Sequence, residues 1–150
     1  MISRFGVACI PLTIWLFSGT KLLAKALYLA LHNQFSPILA AQLFAAAWVI
    51  SSIKFRLILK KSVMKQHELD AQLLIKEISP LMFVRRSLLS KRMFVILSMS
   101  IISSTMHRST TIPLFSFLMC SSVSYALFKA SLAHWKLLKE LKAKYSIYYY

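Results

Sequence analysis

The chain has 150 residues, 58% of them hydrophobic, and sets nineteen Lys and Arg against four Asp and Glu, for a formal net charge of +15. Charged residues make up 15% of it, where a soluble domain of this length carries about a quarter, of both signs. The composition excludes an ordinary soluble fold and leaves too little polar surface for a basic nucleic-acid binder, so no nucleic acid is expected and the phosphates it meets are expected to be lipid headgroups.

Four runs stay free of charge: 5–19, 35–53, 93–106 and 112–128. As helices they span roughly 22, 28, 21 and 25 Å, against a hydrocarbon core of about 30 Å. Each is short and bracketed by Lys or Arg that can snorkel to the interface. The expected fold is therefore an all-α integral membrane protein with four short transmembrane helices as two hairpins, plus amphipathic interfacial helices. Residues 1–53 form the first hydrophobic hairpin with its connection, 54–92 a basic loop, 93–128 the second hairpin and 129–150 a basic amphipathic tail.

The first run, 5–19, is read as a span. Arg4, the apolar stretch and Ala24-Lys25-Ala26 also fit a signal peptide, and the lack of any acid before Glu68 fits a mitochondrial presequence. Cys9 here, like Cys120 later, lies in an apolar run and reads as a reduced packing residue. Residues 21–31 place Lys21, Lys25, Tyr28 and His32 on one narrow face of a helix whose other faces are Leu and Ala. That pattern predicts a separate helical connection, lying at the interface or packed on the spans. Ser36-Pro37 then opens the second span, which offers Ala41 and Ala45 as small helix-packing positions and Gln42 as its one strongly polar group.

Between residues 54 and 92 lie ten cations and three of the four acids. Leu57, Met64, Ala71 and Ile78 recur every seven residues, but Lys60 and His67 interrupt the seam. A helix over about 54–78, stopped by Ser79-Pro80, is expected, with His67 and Asp70 read as solvated. Arg85, Arg86, Lys91 and Arg92 stand before the third span as topology anchors and as contacts for anionic lipid or a partner.

The last two spans are expected to meet around a turn at residues 107–111. Ser100 and Ser104 repeat at four residues on the third span, and Ser116, Cys120 and Ser124 do so on the fourth. Small residues four apart let helices approach closely, so these faces are expected to pack on each other. From Lys129 to Lys144 the chain reads as a basic amphipathic helix continuing the fourth span. His134, Leu137, Leu138, Leu141 and Tyr145 lie on one face and Lys129, Lys136, Glu140 and Lys144 on the other. It is expected to lie on the membrane surface, gripping anionic lipid through Lys129, Lys136, Lys139, Lys144 and Trp135.

Four crossings would put sixteen cations on the side of both termini and the central segment, and only Lys21, Lys25 and Arg108 on the other. The positive-inside rule then makes the first side cytoplasmic, or matrix-side in an organelle, with the membrane itself left open. The sequence carries no zinc-helix spacing, no Gly-rich phosphate loop and no activated nucleophile, so no catalytic, cofactor or metal site is expected. By this reading the spans hold no ionisable group besides the cysteines, which disfavours pumps and coupled transporters. The leading expectation is a non-enzymatic accessory or assembly subunit that packs on a membrane partner or on its own copies and touches anionic lipid. The alternatives are a membrane-shaping double hairpin, whose hydropathy layout resembles that of reticulon-type curvature proteins, and a holin-like pore.

Overall fold

The computed structural model describes residues 4–109 and 113–146, without side-chain detail for Arg92, Ser103, Ser104, Met106 to Ser109 and Ser146. Among the described residues every regular element is helical: α1 (Arg4–Ala8), α2 (Ile10–His32), α3 (Pro37–Lys54), a π-helical turn (Phe55–Leu59), α4 (Lys60–Leu74), α5 (Pro80–Leu88), α6 (Lys91–Ser109) and α7 (Pro113–Ser146). Three helical stretches are long and apolar enough to cross a membrane: Arg4–His32, Pro37–Leu74 and Pro113–Tyr145. The apolar part of α6, Met93–Ile102, is shorter.

Proline and serine set the joints. Pro11 has no N–H to give, so the ladder breaks at Cys9, whose amide bonds Phe5 O and Gly6 O, and α2 restarts there. Ser36 caps α3 by accepting from the Leu39 amide at 3.2 Å, with Pro37 in the first turn, as its sequence predicts. Ser79-Pro80 uses the same device to begin α5, with Ser79 Oγ accepting from Met82 N. The expected stop at that pair is thus a start. The preceding helix ends at Leu74, and Lys76 turns the chain with φ 67°.

α7 is the central post. α2 runs antiparallel along it, with Trp15 beside His134, Gly19 beside Ser124 and Phe128, and Phe35 beside Phe117. α3 and α4 run parallel to it, from Phe44 beside Phe117 to Asp70 beside His134. The main core joins Trp15, Leu22, Ala26 and Leu29 to Phe117, Cys120, Val123 and Leu127. A second core gathers Val7, Ala8, Leu73, Phe83 and Leu138 at the end that holds both termini of the described chain.

Three expectations need correction. First, residues 21–31 are helical but not a separate connection, because α2 passes through Gly19 without a turn. Second, the helix expected over about 54–78 is present as far as Leu74 but is not separate from the second span: α3 continues through the π turn into α4, and α5 folds back on it. Third, the apolar face of the tail is covered by the protein itself. His134, Leu138 and Leu141 are buried, and the surrounding α1, α4 and α5 supply the apolar partners that a membrane surface was expected to supply.

Candidate functional site: a buried polar chain beside a basic cavity

The π turn adds one residue to the α3–α4 helix and so re-phases its inner face. On α3 that face carries Ala47 and Ser51, and on α4 it carries Leu59, Val63, Gln66, Asp70 and Leu73, spaced three and four apart. Leu57 and Met64, the expected seam, are 70% and 50% exposed. The true stripe includes polar Ser51, Gln66 and Asp70, which is why apolar periodicity alone misses it.

Asp70 and His134 are both 0% exposed, and Nε2–H of His134 donates to Asp70 Oδ2 at 2.6 Å. Asp70 Oδ1 accepts from Gln66 Nε2 at 3.2 Å, and Gln66 Oε1 accepts from Ser87 Oγ at 2.9 Å. The chain Ser87, Gln66, Asp70, His134 thus ties α5, α4 and α7 together in a dry interior, where each bond is strong and each missing partner costly. Asp70, expected to be solvated, is buried because α7 presents an imidazole to it. His134 packs its ring against Trp15 at 5.5 Å between centroids, and its Nδ1 is buried with no partner among the described residues. Ser87 gives its proton to Gln66 and stands two links from the imidazole. That is not the arrangement in which a histidine takes up a serine's proton.

Two cavities border α6, one against α4 and α5 and the other against α2. One, of about 280 Å³, adjoins this polar chain: Gln66 and Ser87 form part of its wall, with Trp15 beside them and Lys65 and Lys91 at its sides. The other, of about 420 Å³, is bounded by Lys21 and Lys25 of α2 together with Leu97, Ser100 and Ile101 of α6. Ser100 Oγ is buried there without a partner among the described residues. Among the described residues no three His, Cys, Asp or Glu side chains gather as a metal site would require.

The remaining expected positions divide. Ser116, Cys120 and Ser124 form a buried face of α7, as their spacing predicts, and Ser124 Oγ–H donates to the Gly19 carbonyl at 2.7 Å. That face therefore meets α2, where Gly19 lacks a Cβ, and not the Ser100 face of α6 as expected. α6 instead sets Ile96 and Met99 against Val123, Ala126 and Leu127 of α7. Ser104 and Arg92, like the 107–111 turn and the tyrosine-rich end, lie wholly or in their side chains outside the described residues. Ala41 and Ala45 are exposed on the outer side of α3, because Phe44, Ala47 and Trp48 take the contacts with α7.

Lys129 is held by the protein itself. Its Nζ donates to Ser52 Oγ at 2.6 Å and Ser51 Oγ at 3.2 Å and lies 4.1 Å from the Trp48 ring centroid. Trp135 is half-buried against Phe5, whereas Arg85, Arg86, Lys91, Lys136, Lys139 and Lys144 are exposed. Comparison with family models, curated proteins and solved structures found no match.

Proposed function

We propose that the chain is a non-enzymatic subunit of a membrane assembly, crossing the bilayer with α2, α3, α6 and α7, and holding both ends, α4 and α5 on the cytoplasmic or matrix side. The observation that carries this reading is the depth of Lys21. Continuous α2 sets Lys21 beside Leu97 and Ser100 of α6, two residues past the Gly19–Ser124 contact with α7. Those neighbours belong to the charge-free runs of α6 and α7, so Lys21 stands inside the layer those runs define. On this reading the span formed by α2 includes a lysine pair, Lys25 following one turn later in the same groove.

A lysine at that depth costs about 2.5–3.5 kcal/mol on an insertion scale and marks a functional position. All four carboxylates of the chain, Glu68, Asp70, Glu77 and Glu140, belong to α4, the α4–α5 turn and the last third of α7. The counter-charge for Lys21 is therefore assigned to an acidic side chain on a partner's transmembrane helix. Supporting this, only 11% of the best apolar window of the α3–α4 helix is covered by the rest of the molecule, against 61% for α7. The bare face of α3 carries Ala41, Gln42 and Ala45, small positions beside an amide able to bond across to a neighbouring helix.

The test is native electrophoresis of the protein extracted in mild detergent, with in-membrane crosslinking beforehand. Wild type is expected in a discrete species heavier than a monomer, and Lys21→Leu is expected to release the monomer while Lys136→Leu does not. A monodisperse wild-type monomer with no crosslinked partner would overturn the reading.

A further inference from the structure

The 280 Å³ cavity combines features that none of the roles above uses. Lys65 comes from α4 and Lys91 from the first position of α6, so two cations from different helices border one concavity. Their mutual repulsion favours an anion between them. α6 also begins here: Ser90 lines the cavity and caps the helix, its Oγ accepting from Met93 N at 3.2 Å. The positive end of a 19-residue helix dipole therefore lies at the same place. Trp15 lines the cavity, is only 2% exposed, and has its Nε1–H buried without a partner among the described residues. A buried donor left this way costs about 1–3 kcal/mol, which an incoming anionic oxygen removes.

Buried Asp70 does not compete for these cations, since both its oxygens are engaged by His134 and Gln66; the acid able to reach Lys65 is exposed Glu68, three residues on along α4. The rest of the wall is divided: Ser62, Gln66 and Ser87 make a polar side, and Leu69, Met93 and Ile96 an apolar one. Met93 and Ile96 begin the apolar stretch of α6, whose outer surface continues as exposed Phe94, Val95 and Leu97. A site with cations and a helix N-terminus on one side and a hydrocarbon-like helix face leading away on the other has the polarity of an amphiphile.

We propose that this cavity binds the phosphate of an anionic phospholipid. Lys65, Lys91 and the Trp15 N–H hold the phosphate oxygens, and the acyl chains follow α6. Free inorganic phosphate offers the same oxygens, but the apolar side of Leu69, Met93 and Ile96, continued by the exposed face of α6, assigns the site to the lipid. The proposal shares with the assembly reading only the membrane placement, and the two use different residues, so either can fail alone.

The test uses the full chain, delipidated in mild detergent and titrated calorimetrically with dihexanoyl phosphatidic acid, dihexanoyl phosphatidylcholine and inorganic phosphate. Phosphatidic acid is expected to bind saturably at one site and at least tenfold more tightly than either other probe. Lys65→Gln and Lys91→Gln are each expected to weaken it about tenfold, the energy of one charge-assisted hydrogen bond. Trp15→Phe, which keeps a ring and removes the N–H, weakens it severalfold, while Lys136→Gln leaves it unchanged. Both lysines are exposed, so their variants test the site without disturbing the core. Inorganic phosphate binding as tightly as phosphatidic acid would overturn the lipid assignment. Equal affinities for wild type, Lys65→Gln and Lys91→Gln would overturn the site.

Discussion

Asp70→Ala is expected to be the most damaging single substitution outside the apolar core. Asp70 is 0% exposed and accepts two hydrogen bonds, from His134 at 2.6 Å and Gln66 at 3.2 Å. Its removal strands two donors, the fully buried Nε2–H of His134 and the Gln66 amide at the edge of the 280 Å³ cavity, at about 1–3 kcal/mol each. That sum agrees with the roughly 3–5 kcal/mol measured for removing one member of a buried pair. Asp70→Asn keeps the volume and one acceptor but turns an NH₂ toward a donor, so about half the loss is expected. The assay is thermal unfolding in mild detergent followed by tryptophan fluorescence, which Trp15 reports because its ring packs on His134. For a chain of this length the alanine variant should melt about 10 °C lower. A cycle with His134→Ala should show coupling of about 2 kcal/mol, since either substitution alone destroys the shared bond. Costs that add to within about 0.5 kcal/mol would refute the reasoning, because they would mean that the two groups do not meet in the folded protein.

The contact between α2 and α7 predicts a size limit at Gly19. A Cβ there would meet the Phe128 ring at 3.2 Å and Leu127 Cβ at 3.5 Å. Gly19→Ala should therefore change stability by less than about 1 kcal/mol, the ring shift being offset by helix propensity, whereas Gly19→Leu should lower the melting temperature sharply; equal melts would place this contact elsewhere. Lys129→Gln should cost about 1–2 kcal/mol through its serine and Trp48 contacts, against less than about 0.5 for Lys136→Gln; chemical unfolding compares the two. Leu138→Ala should cost about 2–5 kcal/mol because the side chain is fully buried, and Leu132→Ala, at 62% exposure, much less. If the two leucine variants unfold alike, the tail is not docked on α4 and α5.

Helices announced by caps and by long apolar runs were legible from the sequence, as were the small face of α7 and the inward side of its tail. Ser36-Pro37 marks a helix start wherever it stands, and Ser116, Cys120 and Ser124 share a face by spacing alone. What covers a face is not written in its own periodicity. The tail's His134 and Leu138 suit a lipid surface and a protein groove equally well, and only the return of α4 and α5 over α7 decides between them. The polar chain was hidden for a related reason. Gln66 and Asp70 occupy inner positions of α4, where a count of apolar residues scores them as solvent-facing, and their pairing with Ser87 and His134 is a long-range fact. Lys21 misled in the opposite sense: the cation after an apolar run reads as its end, yet no turn residue follows Gly19, so the helix continues.

The π turn at Phe55–Leu59 joins two layers that need different things from one rigid rod. Above it, the outer face of α3 is left bare; below it, Gln66 and Asp70 must point at α5 and α7. One residue in an α-helix corresponds to a rotation of about 100°. Ser51 and Leu59, eight residues apart, share the inner face because the extra residue is wound into this wide turn; eight residues of unbroken α-helix would leave them about 80° apart. Forcing the turn into α geometry at constant length would therefore swing Asp70 away from His134, whereas deleting one residue between Ser52 and Lys60 would let an unbroken α-helix form with the pair still facing. Homologous chains one residue shorter between Ser51 and Asp70 should lack the wide turn yet keep the aspartate and the histidine.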